Sequence, residues 1–152
     1  MLCLTFEVGE NWYAIEAQEV IEIIPPVNLS VIPKAPDYFA GRFNYRGTIV
    51  PVLDLRSLMM GFPAKRLLST RIIVVKYKVG EETHSLGLLC EKVMDIIRIK
   101  IDELQTPGYI TEETSYLGKL INLRKGIVQL VSVKDLLPSF VKNSLFNEHA
   151  DE

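Results

Sequence analysis

Two histidines, His84 and His149, and two cysteines, Cys3 and Cys90, are the side chains of this sequence best suited to nucleophilic or metal chemistry. Acyl transfer needs a nucleophile within hydrogen-bond reach of an oriented base, and neither histidine lies in a motif such as G-x-S-x-G. His84 falls in an expected hairpin and His149 in an acidic tail, so both read as solvated. Cys3 and Cys90 lack the close spacing of a zinc or redox motif. They sit among apolar residues, in Leu2-Cys3-Leu4 and Leu89-Cys90, and read as small buried hydrophobes of a reducing compartment. A metal would need clustered ligands; the acids here are scattered, and Glu81-Glu82 and Glu112-Glu113 read as solvated turns. No phosphate-cradling glycine loop precedes a helix. The expectation is a protein that is not an enzyme and takes no metal or cofactor. Acid and base carboxylates that converge only in three dimensions are the one catalytic route left open.

Binding is what remains, and the charge pattern narrows it. Seventeen basic and nineteen acidic residues give a net charge of −2, with the two signs interspersed. There is no basic stripe of the kind that nucleic acid or an anionic membrane would require. A nucleic-acid-binding tandem barrel is therefore the weaker alternative, lacking also an aromatic and basic strand face. No apolar run approaches the ~20 residues that span a bilayer, and no basic segment leads into an apolar one at the start. The expected location is the cytoplasm, without direct membrane insertion. Hydrophobic residues at 48% and charged ones at 24% suit a folded chain with a real core.

The elements that must position any binding surface are short strands. Leu2, Leu4, Phe6 and Val8 lie on one face with Cys3, Thr5 and Glu7 on the other, the period of a half-buried strand. Gly9-Glu10-Asn11 turns the chain into Trp12–Ile15. Val20–Ile24 is a third run, closed by Pro25-Pro26. Phe43-Asn44-Tyr45, Arg46-Gly47 and Thr48–Leu53 read as a hairpin, with Pro51 implying an edge strand or a bulge. Asp54 reads as the N-cap of a short helix stopped by Gly61 and Pro63. Ile72–Val75 is a strand buried on both faces, Leu86–Cys90 its return, and Ile97, Ile99 and Ile101 alternate with Arg98 and Lys100. The segment 102–115 is a long polar loop with at most a turn of helix. Tyr116–Leu123 and Ile127–Val133 flank Arg124-Lys125-Gly126. A helical pattern broken by Pro138 follows to Phe146, and 147–152 is expected to be a flexible tail.

The two halves resemble each other. Val20-Ile21-Glu22-Ile23-Ile24 is answered by Val93-Met94-Asp95-Ile96-Ile97, and Gly41-Arg42-Phe43 by Gly118-Lys119-Leu120. Asn44-Tyr45-Arg46-Gly47 is answered by Asn122-Leu123-Arg124-Lys125-Gly126, and Asp54-Leu55 by Asp135-Leu136. Several matches in one order argue against chance. The fold class expected is all-β: two tandem five-stranded barrels, SH3-like or OB-like, packed together, with short helices at the linker and the C-terminus. Their approximate bounds are 1–62 and 70–146, within one domain of 1–152, with strand exchange between them possible.

Within that frame Arg46 sits at a hairpin tip, where the five donors of a guanidinium could grip a carboxylate or backbone carbonyls. On the residues alone a solvated turn residue is the better reading. Glu22 lies between Ile21 and Ile23 on a short strand, outward-facing if the isoleucines enter the core.

The run from Gly41 through Asn44, Arg46-Gly47 and Pro51 to Asp54-Leu55 resembles the signature of the CheW family of chemotaxis coupling proteins. The likeness extends from Phe6 through Tyr13-Ala14-Ile15, Val20–Ile24 and Gly87–Val93 to Leu136-Leu137. The resemblance implies a scaffold that couples the cytoplasmic tips of chemoreceptors to the regulatory domain of a CheA-type histidine kinase, recruited to membrane-associated arrays. It also implies partner-binding roles for Arg46, Glu22 and Val20, and structural ones for Gly41, Asn44, Gly47, Pro51 and Asp54. Arg42, like Lys119, stands where that family has an aliphatic residue, close enough to Arg46 to alter the charge of a partner-binding surface. Glu91 replaces an aspartate and Cys90 an aliphatic residue. An adaptor of the same fold in a pilus-motility or surface-sensing pathway is the alternative within the resemblance.

Overall fold

In the computed structural model, which describes residues 1–146, ten strands build two five-stranded sheets. The tail expected at 147–152, with His149, lies outside the described residues. The strands are β1 (Leu2–Val8), β2 (Asn11–Glu16), β3 (Val20–Ile24), β4 (Phe39–Tyr45), β5 (Thr48–Asp54), β6 (Arg71–Val79), β7 (Glu82–Cys90), β8 (Lys92–Arg98), β9 (Leu117–Leu123) and β10 (Gly126–Val131). The first sheet has the order β8-β1-β2-β10-β9 and the second β3-β6-β7-β5-β4.

The two orders are the same once the repeated strands are matched, β3, β4 and β5 with β8, β9 and β10. Each sheet has its parallel pairing at the same place, β2 beside β10 and β7 beside β5. The remaining strands are exchanged. Hairpin β1–β2 completes the sheet of the second repeat, and β6–β7 completes that of the first. The bounds 1–62 and 70–146 therefore do not correspond to the two sheets. The second sheet is one continuous stretch from β3 to β7, set within the chain of the first.

The largest apolar cluster lies between the sheets. Leu4, Phe6, Val8 and Ile15 from the first meet Leu53, Ile73, Val75, Tyr77, Leu86 and Leu88 from the second. Each such side chain is worth roughly 1.5–3 kcal/mol when fully buried. Strand periodicity then turns the alternate residues into each sheet's own interior: Cys3, Ala14, Ile121 and Val128 in the first, Val52, Ile72, Val74 and Leu89 in the second. This double burial corrects the half-buried reading of β1. Leu2 is 47% exposed, while Cys3 and Thr5 are buried.

Helix α1 (Leu55–Met60) starts where the buried Asp54 accepts a hydrogen bond from Ser57 N at 3.1 Å and ends at Gly61, whose φ is 80°. The other Asp54 oxygen accepts from Ala64 N at 2.9 Å, so one carboxylate fixes both ends of the helical turn. Helix α2 (Ser139–Leu145) begins directly after Pro138. Segment 102–115 has the short helical turns Ile101–Glu103 and Glu112–Thr114 at its ends, and Gln105 exchanges two backbone hydrogen bonds with Leu120. No helix of the described residues is long and apolar enough to cross a membrane.

Candidate functional site

The hairpin between β4 and β5 turns on two residues with positive φ, Arg46 at 52° and Gly47 at 88°. Among two-residue turns, those of this hand match the twist of the flanking strands. Glycine adopts it freely, whereas an arginine there costs about 1–2 kcal/mol. Two local bonds hold it. Asn44 Oδ1 accepts from Gly47 N at 2.8 Å, and Arg46 Nη2 donates to Glu22 Oε1 of β3 at 2.7 Å. The Tyr45 hydroxyl donates to the same Glu22 oxygen, which pushes the phenol's pKa up. The Arg46 guanidinium lies 5.1 Å from the centre of the Tyr45 ring. The Arg46 side chain remains 72% exposed and that of Glu22 37%. Bound at one nitrogen, the guanidinium keeps most of its donors facing solvent.

The flanking surface differs from the sequence expectation. Ile21 and Ile23 are exposed, while Val20, Glu22 and Ile24 are half-buried. Val20 packs against the core between the sheets and Ile24 against the interior of its own. The condition under which Glu22 would point outward, isoleucines in the core, is not met. A register shift between Val20 and Glu22 re-aims the strand there. Ile21 and Ile23, whose burial the sequence left as a condition, are exposed on either side of Glu22 along a strand at the end of its sheet.

Arg42 lies elsewhere. It stands opposite Pro51 on the exposed face of β4 and lines a groove of about 630 Å³ with Ile49, His84 and Phe146. His84 stacks on Phe146 with ring centres 4.1 Å apart and lies 3.3 Å from Glu82. No hydrogen bond or ion pair among the described residues joins the Arg42 side chain to Glu22 or Arg46.

The structural positions have separate tasks. The backbone of Arg42 exchanges two hydrogen bonds with Ser30, at 2.8 and 2.9 Å. The strap carrying Ser30 comes so close that a Cβ on Gly41 would stand 2.7 Å from Ser30 O. Pro51 is not on an edge strand, since β5 runs between β4 and β7. Pairing to β7 begins only at Val52, however, so the missing N–H of Pro51 falls where no ladder is made on that side.

The second repeat carries a comparable ion pair. Lys125, in the turn between β9 and β10, lies 3.7 Å from Asp95 on β8. Its ammonium is 5.8 Å from the centre of the Trp12 ring. Glu22 and Asp95 are matched positions of the repeat, but the register sets Arg124 and Lys125 between Leu123 and Gly126 as Arg46 and Gly47 lie between Tyr45 and Thr48, so the cation comes from the neighbouring turn position. A buried acid, Glu91, ties the sheets together: it accepts from Gly9 N at 2.7 Å and lies 3.4 Å from Arg56 Nη1 of α1.

Reactive groups are muted. Burial pushes the Cys90 thiol up to about 12 and also raises Cys3. Burial likewise raises the phenols of Tyr77 and Tyr116 to about 12. No group of His, Cys, Asp and Glu with metal-site geometry occurs among the described residues.

The CheW-like domain family model matches residues 2–141. Among curated relatives, the chemotaxis protein CheW of Helicobacter pylori is 27% identical over 134 residues, covering 87% of this chain and 78% of that protein. The chemotaxis protein CheW of Klebsiella aerogenes is 29% identical over 138 residues, covering 90% and 81%. Among solved structures, the scaffolding protein TtCheW of Thermoanaerobacter tengcongensis superposes with a TM-score of 0.77 at 23% identity, covering 89% of this chain and 90% of that one.

Proposed function

Because the chain belongs to the CheW-like domain family, we propose that it is a non-enzymatic scaffold that couples chemoreceptors to a CheA-type histidine kinase. The single observation that carries this reading is the family match from residue 2 to residue 141. It acts by binding without turnover. Simultaneous contacts with receptor tip and kinase regulatory domain raise their effective concentration and fix their geometry. A receptor that changes conformation then biases the kinase only as far as the scaffold binds its two states differently. The protein works in the cytoplasm, at arrays assembled on membrane-bound receptors.

The surface assigned to one of these contacts is the Arg46–Glu22 pair with Ile21 and Ile23. It combines what an interface centre needs: exposed apolar side chains on an edge strand and an arginine with free donors beside them. Arg42 belongs to a second surface, the groove with Ile49 and His84.

The test is titration of the full chain against the regulatory domain of the CheA-like kinase and, separately, against receptor cytoplasmic tips of the same organism, with Arg46→Ala and Ile21→Asp alongside. Saturable binding of both partners, weakened at least about tenfold for one of them by Ile21→Asp, is the expected result. Failure to bind either partner overturns the coupling role and directs the search to another receptor-kinase system. Full binding by both folded variants removes this surface from the contact.

A further inference from the structure

Five of the ten lysines, Lys76, Lys78, Lys119, Lys134 and Lys142, line one cleft of about 600 Å³ between the sheets. They come from β6, β9, the helical turn Val133–Asp135 and α2, so the cluster exists only in the assembled fold. The ion pairs of the described residues include none of them. Glu16 and Glu19 also line the cleft, and neither lies within ion-pair distance of a lysine. The chain as a whole is acidic, with a net charge of −2, so this positive field is local.

The floor beneath is apolar. Ala14, Val131 and Val133 are buried and Leu130 is half-buried. The cleft has no arginine and no aromatic ring among its described lining residues. Phosphoryl groups are best gripped by guanidinium forks, and nucleobases by stacking on aromatic faces. Ammonium groups around an apolar floor suit single carboxylates on a chain that also brings aliphatic side chains.

We propose that this cleft docks an acidic segment of a partner protein, its carboxylates on the lysine rim and its aliphatic side chains on the Leu130–Val133 floor. The site is separate from the Arg46–Glu22 surface and does not depend on the scaffold reading. Like-charged lysines repel one another in the free protein, and the bound carboxylates relieve that repulsion.

A fluorescein-labelled peptide alternating glutamate with leucine, titrated against the full chain, tests this. Lys78→Glu combined with Lys119→Glu reverses two exposed rim charges, Lys78→Gln with Lys119→Gln neutralises them, and Lys100→Glu reverses an exposed charge outside the cleft. Thermal melts confirm that each variant is folded. The expected result is saturable binding that weakens with salt, falls about tenfold or more on reversal, falls less on neutralisation and is unchanged in Lys100→Glu. A peptide alternating glutamate with serine should bind more weakly, because it leaves the floor uncovered. Absence of binding, equal loss in Lys100→Glu, equal affinity for the serine peptide, or tighter binding of inorganic tripolyphosphate at the same site would each overturn the proposal.

Discussion

Arg46, in the turn that ends β4, meets Glu22, on β3, at 2.7 Å, so one ion pair joins the two outermost strands of the second sheet. Lys125 and Asp95 do the same for β9 and β8 in the first, at 3.7 Å. The pair is thus first a clasp of the fold, repeated in both halves. In the second sheet it is also drawn tighter, because Tyr45 donates to the same carboxylate.

Exposed ion pairs contribute little, and the clasp should follow that rule. A double-mutant cycle between Arg46→Ala and Glu22→Ala, read by urea denaturation, should give a coupling energy of about 0.5–1 kcal/mol. The longer Lys125–Asp95 pair should give less. Coupling above about 2 kcal/mol would show that solvent does not screen the pair as its exposure requires.

Two glycines in the same hairpin should separate steric from conformational cost. Gly41→Ala places a Cβ 2.7 Å from a backbone oxygen at a φ of +142°, and the strap of Ser30 cannot yield without losing its bonds to Arg42. Gly47→Ala, at φ +88°, meets nothing within 4 Å. The first should destabilise by about 2–4 kcal/mol and the second by about 1–2. Equal costs in a denaturant titration would refute the close-approach argument.

Glu91 accepts from Gly9 N in one sheet's hairpin and faces Arg56 beyond the other sheet. Glu91→Gln keeps an oxygen for Gly9 and should cost about 1 kcal/mol. Glu91→Ala leaves a buried N–H unsatisfied and a guanidinium without its carboxylate, and should cost about 2–3 kcal/mol. The order of the two chemical-denaturation midpoints checks this.

Tyr77 is buried with its hydroxyl unpartnered, and burial raises its pKa, like that of Tyr116, from 10.0 to about 12. Each phenol is neutral in the folded state at a pH where the open chain has begun to ionise. Their contribution to stability is therefore complete below pH 10 and is lost as the pH rises towards 12. Stability followed by denaturation across that range should fall, and less steeply in Tyr77→Phe. At neutral pH Tyr77→Phe should be neutral or stabilising by up to about 1 kcal/mol, since it removes an unsatisfied polar atom.

Much of this architecture was legible because strands announce themselves by alternation and turns by glycine. The repeat set Glu22 against Asp95 and Asn44-Tyr45-Arg46-Gly47 against Asn122-Leu123-Arg124-Lys125-Gly126, and Asp54 was read as a helix cap. What periodicity cannot carry is which hairpin lies beside which sheet. Pairing is lateral and long-range, and β1 reads the same whether its neighbour is β6 or β8. The same blindness left open which way Ile21 and Ile23 face. Their hydrophobicity suggested the core, but a register shift beside Val20 turns their side of β3 outward. The lysine cleft is likewise invisible in the chain, its charges being scattered from Lys76 to Lys142.

The exchanged hairpins also impose an order in time. During synthesis β1 and β2 emerge first, yet the strands that flank them, β8 and β10, lie between Lys92 and Val131. Until then the hairpin has two open edges, and a lone two-stranded ribbon is marginal in water. The second sheet, continuous from Val20 to Cys90, has all its strands well before that. A growing chain therefore completes its inner sheet first, and β1 and β2 wait longest for their partners.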